Sequence, residues 1–140
     1  MSKLAQRLGD ASRSGVYRVS REDAVEEVVR GTPLSRTRVA LQGGKAEILD
    51  ALAKALAFPH WFGRNWDALE DCLADLSWKP AGGHLLLLTG AASLAKDDAG
   101  ILTDILASSA ESWKARGQPF FAVFVDPGRD LELPDLYREG

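Results

Sequence analysis

The chain has 140 residues, 46% of them hydrophobic, which suits one domain with a core of its own. Its 17 lysines and arginines against 20 aspartates and glutamates leave a net charge of −3, so no global field would draw it onto nucleic acid or an anionic membrane. A basic partner is favoured, and the single cysteine, Cys72, excludes an intrachain disulfide, a cysteine zinc cluster and a redox pair, as expected of a reducing compartment.

Residues 1–14 are polar, with Leu4 and Leu8 at helical spacing, and predict either a frayed helix or nothing ordered. They lack the apolar stretch of roughly 7–15 residues that a secretory signal needs. The longest apolar runs, 85–88 and 120–125, fall far short of the ~20 residues that span a bilayer. A cytoplasmic location is expected.

Residues 15–19 predict a short strand, and 21–30 a helix with Ser20 as N-cap and Asp23 three residues into it. Pro33 breaks the chain. Residues 37–41 predict a strand, and Gly43 and Gly44 turn it into a helix over 45–57 whose buried stripe is Ile48, Leu49, Leu52 and Leu56. Residues 58–64 form an aromatic loop, Asn65 caps a helix running to about residue 76, and 77–83 form a turn.

The four leucines at 85–88 lack polar alternation, as a parallel strand covered on both faces should. Ile101, Leu102, Ile105, Leu106 and Trp113 mark a long helix ending at Gly117, and 120–125 is a second apolar strand. Strands alternating with helices predict right-handed parallel crossovers in an α/β layer structure, with 15–19 as an extra edge strand and the tail after Asp126 as loop.

On a helix advancing about 100° per residue, Trp66, Leu69, Leu73 and Leu76 fall on one side and Asp67, Glu70, Asp71 and Asp75 on the other. A solvated face is the ordinary explanation of such a row. Repulsion between Asp67 and Asp71, and between Asp71 and Asp75, costs roughly 0.2–0.5 kcal/mol per pair. Asp75 also meets the negative end of the helix dipole, so stability alone does not explain it. Beside the acids stand Phe58, His60, Trp61, Phe62, Trp66 and Trp78. Phe58, Phe62 and Trp66 are expected to face inward and Trp61 outward, and an exposed aromatic rimmed by carboxylates has the composition of a binding hot spot.

Residues 58–73, Phe58-Pro59-His60-Trp61-Phe62-Gly63-Arg64-Asn65-Trp66-Asp67-Ala68-Leu69-Glu70-Asp71-Cys72-Leu73, resemble the signature of the barstar family, small intracellular inhibitors of secreted ribonucleases. The resemblance spans about 37–125. It implies a three-layer α/β fold with a small parallel sheet: a barstar-like domain at 37–126, an N-terminal extension at 1–36 and a tail at 127–140. It further implies that the loop and acidic helix enter a nuclease groove. Asp71 would take the place of a substrate phosphate, Asp67 would serve the guanine-site region, and Trp61 would replace the family's exposed tyrosine. His60 would lie at the interface edge, and Glu70, Asp75 and Trp78 would complete the surface. Glu70 stands where the family has a tryptophan, which suggests a retuned target. The family's acidic contact on the last helix falls on Glu111 or Ser112, depending on alignment.

Against catalysis stands the lack of a nucleophile with a partnering base. Cys72 is read as core, His84 as structural and His60 as a loop residue. Asp67, Asp71 and Asp75 could hold Mg²⁺, yet no glycine-rich phosphate loop accompanies them. The expectation is a monomeric, cofactor-free inhibitor, antitoxin or immunity protein bound to a basic ribonuclease. The alternative is the same fold directed at another basic protein or toxin domain.

Overall fold

The unbroken apolar runs form the centre of a four-stranded, all-parallel sheet. The computed structural model describes residues 2–138. In chain order its elements are α1 (Lys3–Leu8), β1 (Gly15–Val19), α2 (Asp23–Val29), β2 (Ser35–Ala40), α3 (Lys45–Ala55), α4 (Trp66–Asp75), β3 (His84–Thr89), α5 (Lys96–Ala115) and β4 (Phe120–Val125). Short 3-10 turns at Ala11–Arg13 and Ala91–Ser93 precede β1 and α5. The strand order is β1-β4-β3-β2, so the two apolar strands are central and the predicted extra strand is a full edge member, paired to β4 along its length.

Alternation along β3 and β4 divides the core into two layers. Leu86, Leu88, Ala122 and Phe124 face α3, α4 and α5 in one cluster. Leu85, Leu87, Phe121 and Val123 face Leu4 and Leu8 of α1 and Val25 and Val29 of α2 in the other. This is the three-layer arrangement expected. The leucines of α1 are buried, and Ser2 caps that helix by accepting from the Ala5 N–H at 3.1 Å. Residues before the barstar-like stretch therefore supply one strand and most of one helical layer.

Edge strand β2 shows the alternation that the central strands lack. Thr37 and Val39 are buried, whereas Arg36 and Arg38 are exposed and form ion pairs with Glu26 and Glu22 of α2. The strand begins at Ser35, earlier than the predicted residue 37, because the Ser35 N–H already donates to Gly83 at 2.9 Å.

Two local expectations are corrected. Helix α2 starts at Asp23 rather than residue 21 and has no side-chain cap. Ser20 instead accepts from the Arg18 guanidinium, a contact across the end of β1. Helix α3 stops at Ala55 because Ala57 takes a left-handed backbone, φ 53°, which folds Phe58 back so that its N–H reaches the Ala53 carbonyl. The tail carries no helix or strand among the described residues, as expected of loop, but it is tied down. It returns to the β1 edge as a parallel bridge between Arg18 and Asp135, and Leu136 is fully buried.

Candidate docking site

The α3–α4 connection is built by local rules. Asn65 has an extended backbone and its side-chain oxygen accepts from the Ala68 N–H at 2.7 Å, the expected N-cap. Arg64 takes a left-handed φ of 53°, and its guanidinium pairs with Asp50 at 2.6 Å. Upstream, the Phe62 N–H donates to the Pro59 carbonyl at 3.0 Å, closing a turn with His60 and Trp61 at its two central positions.

The turn projects Trp61, 61% exposed, from an aromatic base. Trp61 meets Trp78 edge-on at 6.4 Å, Trp78 meets Phe58 at 5.9 Å, and Phe58 meets Phe62 at 4.9 Å. The Trp78 indole N–H is committed internally, donating to the Leu56 carbonyl at 3.0 Å. Trp78 is thus a half-buried support under Trp61, while His60 is exposed at the tip. Phe58, Phe62 and Trp66 pack against the main core, each of them partly buried.

On α4, Leu69, Cys72 and Leu73 are buried, and Asp67, Asp71 and Asp75 are exposed at four-residue spacing, which aligns them in one row. Glu70 departs from that row. It is half-buried, and its carboxylate accepts from the Ser108 hydroxyl of α5 at 3.2 Å. Sequence reasoning could not see this contact, because the two residues lie 38 positions apart. On α5, Glu111 is exposed and Ser112 is half-buried.

Helix α5 also holds the far end of α4. The Trp113 indole donates to the Leu73 carbonyl at 2.8 Å, and Arg116 donates to the Ala74 carbonyl while lying 4.2 Å from the Trp113 ring. Two orphan carbonyls of the last turn are satisfied in this way, and a cation is brought to the negative end of the helix dipole. Leu76, buried and left-handed at φ 47°, ends the helix without a glycine, since its side chain is needed in the core.

Most surface carboxylates near arginines are neutralised: Glu22, Glu26, Asp23 and Asp50 each have an arginine partner. Asp67, Glu70, Asp71 and Asp75 form no ion pair among the described residues. Neighbouring cations have other partners: Arg64 pairs with Asp50, Lys45 lies over the Trp66 ring at 6.0 Å, and Arg116 donates to the Ala74 carbonyl. The acidic row has no ion-pair partner among the described residues, and it follows in sequence the most exposed large aromatic side chain, Trp61.

The remaining titratable candidates lie inside. Burial, followed by the charges of Asp71 and Asp75, raises the Cys72 thiol above its ordinary pKa and holds it protonated. His84 is buried against Trp113, ring centres 5.0 Å apart. Among the described residues no group of three acidic, histidine or cysteine side chains is placed to hold a metal ion, and no helix is long and apolar enough to cross a membrane.

A three-layer α/β protein with an uncompensated acidic helix and an exposed tryptophan on one rim is the class that fold and site define. The family described as Barstar (barnase inhibitor) matches residues 38–125, well over half of the chain, and the protein belongs to that family. A search of curated proteins finds no match.

Proposed function

We propose that the protein inhibits a small basic ribonuclease of the barnase kind, seating the Trp61 turn and the outward face of α4 in the substrate groove. The observation that carries this reading is the row Asp67, Asp71 and Asp75, exposed and without ion-pair partners among the described residues, beside Trp61 in the stretch that resembles the family signature. A carboxylate accepts charge-assisted hydrogen bonds from Arg and Lys much as a phosphate does. Asp71, central in the row, stands in for the substrate phosphate, and Asp67 serves the adjoining base site. Trp61 is the desolvated anchor, supported by Trp78, with His60 at the edge and Asp75 at the far end. Opposite fields speed capture. The protein acts by occlusion and catalyses nothing, as a cofactor-free monomer in the cytoplasm.

Glu70 favours a second reading, in which the target is another basic protein or toxin domain. It adds a carboxylate at the position where the helix departs from the family pattern. Both readings are tested by titrating wild type and Asp71→Ala against RNA hydrolysis by barnase and other small basic ribonucleases. Stoichiometric inhibition by wild type alone supports the first. Wild type that inhibits none of them leaves the second.

A further inference from the structure

Among the described residues, the most deeply buried charged side chain lies outside the acidic helix. Arg18, at the end of edge strand β1, is 1% exposed. Its guanidinium donates to the Ser20 hydroxyl at 3.0 Å, to the Asp126 backbone carbonyl at 2.6 Å and to the Asp135 carboxylate, and its Nε faces the Asp126 carboxylate at 3.7 Å. Asp126 is itself fixed by the N–H groups of Asp130 and Leu131. A buried cation is costly unless acceptors surround it. Here one of them, Asp135, is delivered by a segment more than 100 residues away in the chain.

That segment is held as an extended ligand is held by a sheet edge. The Arg18 N–H donates to the Pro134 carbonyl and the Leu136 N–H donates to the Arg18 carbonyl, both at 2.9 Å, which is one register step of a parallel ladder. Leu131 and Leu133 rest on the α5 side of the sheet, whereas Leu136 is wholly buried in the α2 side. Residues 131–136 therefore cross the β1 edge from one face to the other. Backbone pairing, an Arg-matched carboxylate and an apolar pocket for the next side chain are the three elements of strand-addition recognition. The anchoring is brief. One residue is bridged, and Pro134 and Asp135 remain exposed.

We infer that the β1 edge is a peptide-docking site, filled in the resting chain by its own residues 134–136 and built for an extended segment with a carboxylate immediately before an apolar side chain. Such a segment from another protein competes with the tail, the Arg18 guanidinium taking its carboxylate and the Leu136 pocket its apolar residue. The site uses no residue of α4 and does not depend on the inhibitory reading.

The test uses the full-length chain carrying Asp135→Ala and Leu136→Ala, titrated with a labelled synthetic peptide of residues 130–138. Saturable binding is expected to the folded double variant, at least tenfold weaker binding to wild type, whose own tail competes, and at least tenfold weaker binding of the peptide bearing Asp135→Asn. A folded double variant that ignores the peptide, or takes both peptides equally, overturns the inference. Should the double variant not fold, hydrogen exchange on wild type decides. The Leu136 amide should exchange at least a hundredfold faster than the β4 amides, and equal protection shows that the tail is a fixed part of the sheet and overturns the inference.

Discussion

The Ser108 hydroxyl of α5 donates to the Glu70 carboxylate of α4 at 3.2 Å, so α4 spends one of its four outward carboxylates on its neighbour. An exposed hydrogen bond of this kind contributes about 1 kcal/mol at most. Ser108→Ala should therefore lower the denaturation midpoint only slightly. Glu70→Ala should weaken target binding less than Asp71→Ala, as measured by surface plasmon resonance. A larger loss for Glu70→Ala would place Glu70 in the docking row.

Leu69 has no exposed surface and packs in the main cluster, one turn before Leu73. Leu69→Ala should cost about 2–5 kcal/mol, read from urea denaturation, because truncation of a buried leucine loses transfer energy and leaves a cavity. Asp71→Ala, on the exposed side of the same helix, should leave the urea midpoint nearly unchanged. The pair separates folding from docking.

His84 predicts an acid sensitivity. Burial, then the charge of Lys79, pushes its pKa down from 6.5 to about 4. The folded value lies below the unfolded one, so on acidification the unfolded chain takes the proton first. Stability is complete above about pH 6.5 and is lost as pH falls through about 4, at up to about 1.4 kcal/mol per pH unit. Urea denaturation at pH 7 and pH 4.5 should show a smaller acid loss for His84→Gln than for wild type. An equal loss in both would remove His84 from the account.

If charge steers capture, the association rate with the target should fall steeply as salt rises. The Debye length shrinks from about 10 Å at 0.1 M to about 3 Å at 1 M. Dissociation should change less, and stopped-flow measurements across this range separate the two rates. A salt-independent association rate would contradict steering.

What the sequence disclosed follows from the range of each interaction. The apolar runs at 85–88 and 120–125 declare central strands by themselves, and the Asn65 cap is legible because its partner, Ala68, is three residues away. Ser20 misleads for the converse reason: its hydroxyl looks like a cap, but the buried Arg18 claims it, and that side chain is positioned by Asp126 and Asp135. The tail reads as loop because its one bridge reaches back 117 residues to β1. In the candidate site, the aspartate row follows from helical spacing, and the outward Trp61 from its inward-facing neighbour Phe62. The support of Trp61 by Trp78, and the turn of Glu70 toward Ser108, depend on contacts between elements that spacing cannot express.

Whether the outward carboxylates of α4 occupy a ribonuclease active site is decided by inhibition constants for wild type and Asp71→Ala. The probes are barnase and other small basic ribonucleases. At least one enzyme should be inhibited stoichiometrically by wild type. Inhibition by the variant should be at least hundredfold weaker, about 2.7 kcal/mol or more. Equal inhibition by both proteins, or none by wild type at micromolar concentration, would contradict such occupancy.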